Sequence, residues 1–235
     1  MTAFAAGPLE TLSQIDDHTV GVELFGLGRP GVFASAGASL ARKLRAQRLA
    51  PTPEAWDFAA LALGVLVTDA AVRRAGSPDG WTRQLELEVC VSDPDRWRPA
   101  TKTLEEALAF LTTDVWGLQF VSGAQHPVAP AERSSSDDDA VALLSGGLDS
   151  LIGAIDLSAA GPRVFTVSQV VRGDQAKQKG FAAEIGGGLN HIVLNHNARP
   201  IGRSKEPSQR ARSIGFIAMS SCTSAFPHCQ LLHTG

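Results

Sequence analysis

Cysteine is scarce in this chain. Cys90, Cys222 and Cys229 are the only three in 235 residues, and their spacing builds no disulfide framework, so the chain reads as one that folds in a reducing compartment. An excess of charge is missing as well. A net charge of −3 and a pI near 6.1 exclude a general nucleic-acid or anionic-membrane surface. Long apolar runs are also lacking: the longest, Ala59 to Val67, falls well short of the roughly 20 residues needed to span a bilayer. The opening MTAFAAGPLETLSQIDD has no basic stretch followed by an apolar one, as a secretory leader would. These absences leave a cytoplasmic globular protein. Its 44% hydrophobic content suffices for the cores of one large or two small domains.

Residues 1–122 read as one α+β domain. Thr19 to Phe25 alternates like a half-buried strand, and Gly26 to Gly31 is a glycine-rich turn. A helix is expected from Phe33 to Arg48; its Arg42, Lys43, Arg45 and Arg48 read as a solvated face, with a phosphate or acidic partner as the alternative. Pro53 and Glu54 open a strongly apolar, buried helix reaching about Arg74. Arg83 to Val91 and Val115 to Val121 alternate as strands, with a short helix from Leu104 to Leu111 between them. Trp56, Trp81, Trp97 and Trp116 read as packing residues, since no basic residues interleave with them as on a base-stacking platform. No catalytic constellation is legible in this half.

Residues 123–139 change character, with prolines, a serine run and three aspartates, and read as a solvated linker. Residues 140–235 then alternate strand and helix, the pattern of parallel βαβ units. The apolar run Ala140 to Leu144 precedes Ser145-Gly146-Gly147-Leu148-Asp149-Ser150, and the helix-spaced Leu151 to Leu157 follows. A strand, a glycine turn and a helix N-terminus together aim backbone N–H groups at one point, as a phosphate requires. Gly146 and Gly147 allow the tight turn, Ser145 and Ser150 add hydroxyls, and Asp149 offers a carboxylate to magnesium. Strands at 163–168 and 191–195 would bring Thr166, Val167, Ser168 and Asn195 to Asn197 to the same carboxyl rim, where an open parallel sheet holds its ligand. Ser208 is expected to cap a last helix, near whose start Arg210 and Arg212 offer charge to a polyphosphate or carboxylate. His191 and His196 flank a strand and read as structural.

The SGGLDS run resembles the SGGxDS signature of the PP-loop ATP pyrophosphatases, and it lacks the lysine of a Walker A loop. Arg212 to Ala218 is similar to a segment of the QueC family, the 7-cyano-7-deazaguanine synthases. The domain order and the DVWGLQF strand resemble the QatC-type QueC-like proteins of bacterial anti-phage operons. The resemblance implies ATP and Mg²⁺ as cofactors, adenylation of a small carboxylate such as 7-carboxy-7-deazaguanine with release of pyrophosphate, and other proteins of a defence operon as partners. It implies Ser145, Gly146, Gly147, Leu148, Asp149 and Ser150 at the pyrophosphate, Asp149 at the metal, and Arg212 with Arg210 at phosphate or substrate charge.

The chain departs from that family in two ways. The four-cysteine zinc cluster has no counterpart, and Cys222, Cys229, His228 and His233 do not reproduce its spacing. The closing SSCTSAFPHCQLLHTG continues neither helix nor sheet, so the chain reads as truncated or frameshifted, with the Ala140 strand left at a sheet edge. Two rivals stay open. An amidotransferase or tRNA-modifying enzyme would use the same loop, though no N-terminal nucleophilic cysteine or basic appendage is present; a nucleotide-binding fragment or partner subunit would be no enzyme.

Overall fold

The computed structural model describes residues 2–28, 31–134, 138–170, 175–185, 188–201, 206–207, 210–223 and 230–231. They form two units that are not contiguous in sequence. The first takes residues 1–39, 56–127 and 196–215; the second takes 40–55, 128–195 and 216–235. The linker at 123–139 is therefore split between them, and residues 40–55 belong with the glycine-loop unit.

The first unit contains β1 (Thr2–Gly7), α1 (Leu9–Leu12), β2 (Thr19–Leu24) and β3 (Ala34–Ala36). Helix α2 (Ala38–Ala46) falls mostly in the second unit; most of α3 (Pro53–Ala71) belongs to the first, followed by β4 (Gln84–Val91), α4 (Pro94–Trp97), α5 (Thr101–Thr112) and β5 (Val115–Ser122). The five strands pair in the order β3-β2-β1-β4-β5, and every pairing is parallel. This is a Rossmann-like α/β arrangement, not the expected α+β domain: alternation within one strand does not reveal the direction of its neighbour. The expected Phe33 to Arg48 helix is also divided, because Ala34–Ala36 pairs with β2 and Gly37, at φ +90°, breaks the chain before α2 begins.

One face of this sheet, carrying Phe4, Ala6, Leu85, Leu87 and Val89, is buried. Against it lies α3, the apolar helix; a Cβ on its Gly64 would stand 3.1 Å from Ala6 and 3.2 Å from Leu87, so the missing side chain permits close packing. The opposite face carries Ala3, Ala5, Glu86, Glu88, Gly117 and Gln119, of which Glu86, Gly117 and Gln119 are exposed. Trp56 and Trp116 are buried, Trp97 lies between Phe58 and Phe120, and Trp81 is half exposed beneath the Arg74 and Arg210 guanidinia.

An ion network anchors the end of α3 to β4 and β5. Arg83, 1% exposed, donates to both Asp114 oxygens, to Asp69 Oδ1, and to the Asp69 and Val72 carbonyls; Arg74 adds a two-pronged pair with Asp114. Burial alone would raise the Asp114 carboxyl, but the bonds from Arg83 and Arg74 hold it below its ordinary value. No helix among the described residues is long and apolar enough to cross a membrane.

The second unit holds β6 (Ala140–Leu143), α6 (Leu148–Ala159), β7 (Val164–Gln169), α7 (Gln175–Glu184) and β8 (Asn190–Leu194). It also takes most of α8 (Arg212–Ser221) and the short β9 (Gln230–Leu231). The sheet order is β8-β7-β6-β9, again all parallel. The expectation that the closing segment continues neither helix nor sheet is corrected here. α8 extends through Ser221, and Gln230–Leu231 pairs with Ala140 and Val141, so β6 is not an edge. Such pairing is decided by which backbone is left without a partner, which a short, mixed sequence does not announce. Leu144, Ala154, Ala182 and Ile185 make a core between sheet and helices, extended by Leu151, Phe181 and Leu189.

Candidate functional site

Residues 144–150 form a tight, internally bonded turn at the carboxyl end of β6. Gly146 has φ +92°, a conformation that L side chains rarely adopt, and Gly147 is the residue before α6. The Ser150 hydroxyl donates to Gly147 O at 3.0 Å, accepts from the Ser145 N–H at 3.1 Å, and lies 2.9 Å from Ser145 Oγ. Ser145 Oγ in turn accepts from Gly147 N–H at 3.3 Å. Both hydroxyls are therefore used in shaping the turn. The donors that remain are the first N–H groups of α6, at Leu148, Asp149 and Ser150, which helix geometry leaves without an intrahelical acceptor. Gly147, Leu148 and Asp149 are exposed and Ser150 is half-buried.

Beneath the turn, polar side chains tie β6 to β7. Ser168 donates to Leu144 O at 2.6 Å, and Gln178 Nε2 donates to the Ser145 and Gln169 carbonyls at 3.1 and 3.3 Å. Since Ser168 has given its one proton to Leu144, His191 Nε2, 2.9 Å away, must carry the proton between them. Burial, with Lys179 adding to it, lowers the His191 pKa below its ordinary value. As pH falls, the unfolded chain takes up the proton first, so this stabilisation is full above about 6.5 and is lost as pH drops through the folded value. His191→Gln should therefore flatten the second unit's loss of stability as pH falls below about 6.5, read from denaturation midpoints across a pH series. An unchanged slope would remove His191 from that role.

The expected rim residues are brought together only in part. Thr166, Val167 and Ser168 are fully buried inside β7, with Thr166 donating to Asn190 O; the strand runs on to Gln169, which puts the rim there. Of the expected Asn195 to Asn197 stretch, only Asn195 belongs to this unit. His196 and Asn197 join the first unit, where they accept from the Gly37 and Ser39 N–H groups. Arg210 lies in the first unit too, its guanidinium 4.6 Å over the Trp81 ring and donating to Thr113 Oγ1 at 3.1 Å. Arg212, half buried at the start of α8, sets its positive charge near His196. Ser208 is outside the described residues, as are Cys229, His228 and His233.

Asp149 suits magnesium, which takes one carboxylate together with phosphate oxygens and water. Cys222 does not suit zinc: fully buried and donating to Ala55 O at 3.6 Å, its thiol is pushed up to about 12. Among the described residues no three His, Cys, Asp or Glu side chains gather as metal ligands.

A further polar cluster gathers around Asp57 in the first unit. Asp57, buried in apolar α3, accepts from the Ser92 N–H and hydroxyl and from Trp97 Nε1, and lies 2.8 Å from His126 Nε2. Burial alone would raise Asp57, but the bonds led by His126 hold it below its ordinary value. This is no Ser-His-Asp relay, because a single histidine nitrogen faces both Asp57 and Ser92, and a relay uses the two nitrogens separately. Its one sequence signal is an acid inside an apolar helix. No family model, curated protein or solved structure matches the chain.

Proposed function

We propose that the chain is an ATP-dependent ligase of the PP-loop type, QueC-like in chemistry, which adenylates a small carboxylate of the 7-carboxy-7-deazaguanine kind and releases pyrophosphate. The observation that carries this reading is the turn at residues 145–150, with Gly146 at φ +92° and the open N-terminus of α6 at the carboxyl end of a parallel strand. The N–H groups of Leu148 to Ser150 receive the pyrophosphate oxygens, and the positive end of the α6 dipole favours their charge as the α–β bond breaks. Asp149 would hold Mg²⁺, whose charge offsets that of the phosphates when it is bound. The Ser145 and Ser150 hydroxyls keep the turn in its receiving shape, so little rearrangement is needed when charge develops.

Pyrophosphate release from ATP should require both the carboxylate and Mg²⁺, and should disappear in Asp149→Ala while the circular dichroism spectrum is retained. Release undiminished by Asp149→Ala would overturn the assignment. ATP binding without release under any carboxylate would instead mark a nucleotide-binding subunit.

A further inference from the structure

Parallel sheets are ordinarily covered on both faces, yet the β1-β4-β5 surface opposite α3 is open. A groove of about 720 Å³ crosses it, bounded on one side by the Thr11 to Asp16 segment. Its floor is low, since Ala3, Ala5 and Gly117 raise no bulky side chain into it, although Ala5 is itself buried. Glu86 and Glu88 rise from it, and neither has a cationic partner among the described residues. No lysine or arginine lines the groove. The surface therefore lacks both a covering element and positive charge.

The chain carries an element with the complementary properties. Helix α2 is amphipathic: Leu40 and Leu44 are buried, while Arg42, Lys43 and Arg45 are exposed and have no acidic partner among the described residues. It has nine residues, hence a length of about 13 Å, short enough to lie across three strands at about 4.8 Å spacing. We infer that the open sheet face is a self-association surface, on which a second copy of this chain lays the basic face of α2 over Glu86 and Glu88. Opposite charges on the two surfaces select the register, and the small floor residues allow the approach. The inference is independent of the nucleotide loop.

The test is sedimentation of the full chain across a concentration series in low and high salt, with charge-reversed variants. Association should weaken at least about tenfold between low salt and about 0.5 M, because these charges lie at the surface. Glu86→Lys with Glu88→Lys should be monomeric, and so should Arg42→Glu with Arg45→Glu. Mixing the two should restore a complex, because reversed charges on both surfaces are complementary again. Glu86, Arg42 and Arg45 are exposed and Glu88 is half-buried, and near-ultraviolet circular dichroism verifies that each variant is folded. A wild-type chain that stays monomeric in low salt overturns the proposal. So does an oligomer that both reversals leave intact, or a mixture that fails to reassociate.

Discussion

Asp114→Ala should destabilise the first unit by about 3–5 kcal/mol, the loss expected when one partner of a buried ion pair is removed. Asp114 is 2% exposed and accepts from the Arg83 N–H and guanidinium and from both Arg74 terminal nitrogens. Without it, the nearly buried Arg83 keeps only Asp69 as a counter-charge, and Arg74 loses its salt bridge. Urea denaturation followed by tryptophan fluorescence reads this well, because Trp116 bonds to Thr112 beside Asp114 and Trp81 lies under Arg74. A shift in midpoint below that of ordinary surface substitutions, within about 0.5 kcal/mol, would mean that the network is solvated in solution. The depressed Asp114 pKa adds a signature: this stabilisation is present above the unfolded carboxylate value of about 3.9 and disappears as pH falls through the folded one. The mutant's deficit should accordingly shrink in acid.

Gly146→Val should have the second large effect, on binding. At φ +92° a β-branched residue is strained by about 1–3 kcal/mol, and relief requires the turn to move. Moving it separates Ser145 from Ser150 and turns the first N–H groups of α6 away from a common point. ATP affinity, measured by calorimetry with Mg²⁺, should fall at least about tenfold, whereas Gly161→Ala should leave it unchanged. Gly161 has φ +107° but lies at the far end of α6, with nothing within 4 Å of an added Cβ, so it reports strain without the anion site. Equal losses in both variants would trace the effect to the stability of the unit and remove the loop from the nucleotide reading.

Strong local patterns were legible in the sequence. The largely apolar composition of 53–71 marked a buried helix, and the alternation matched the burial from Gln84 to Val89 in β4 and from Trp116 to Phe120 in β5. Apolar run, glycine pair and apolar helix located the turn at 145–150 because each step depends on neighbours within a few residues. β1 escaped notice: TAFAAG has small side chains and few β-branched ones, and it becomes a strand only because β2 and β4 bracket it.

By itself, then, the sequence determined where helices and most strands lie and where the glycine turn at 145–150 forms, since periodicity and glycine conformation are local properties. Only the tertiary structure decided that the first unit's sheet is parallel, that Gln230–Leu231 flanks β6, that Arg210 is engaged by Trp81 and Thr113, and that Asp57, Ser92 and His126 meet. These are pairings between residues far apart in the chain, fixed by competition among all segments for backbone partners and buried space, and no short stretch of sequence records the outcome of that competition.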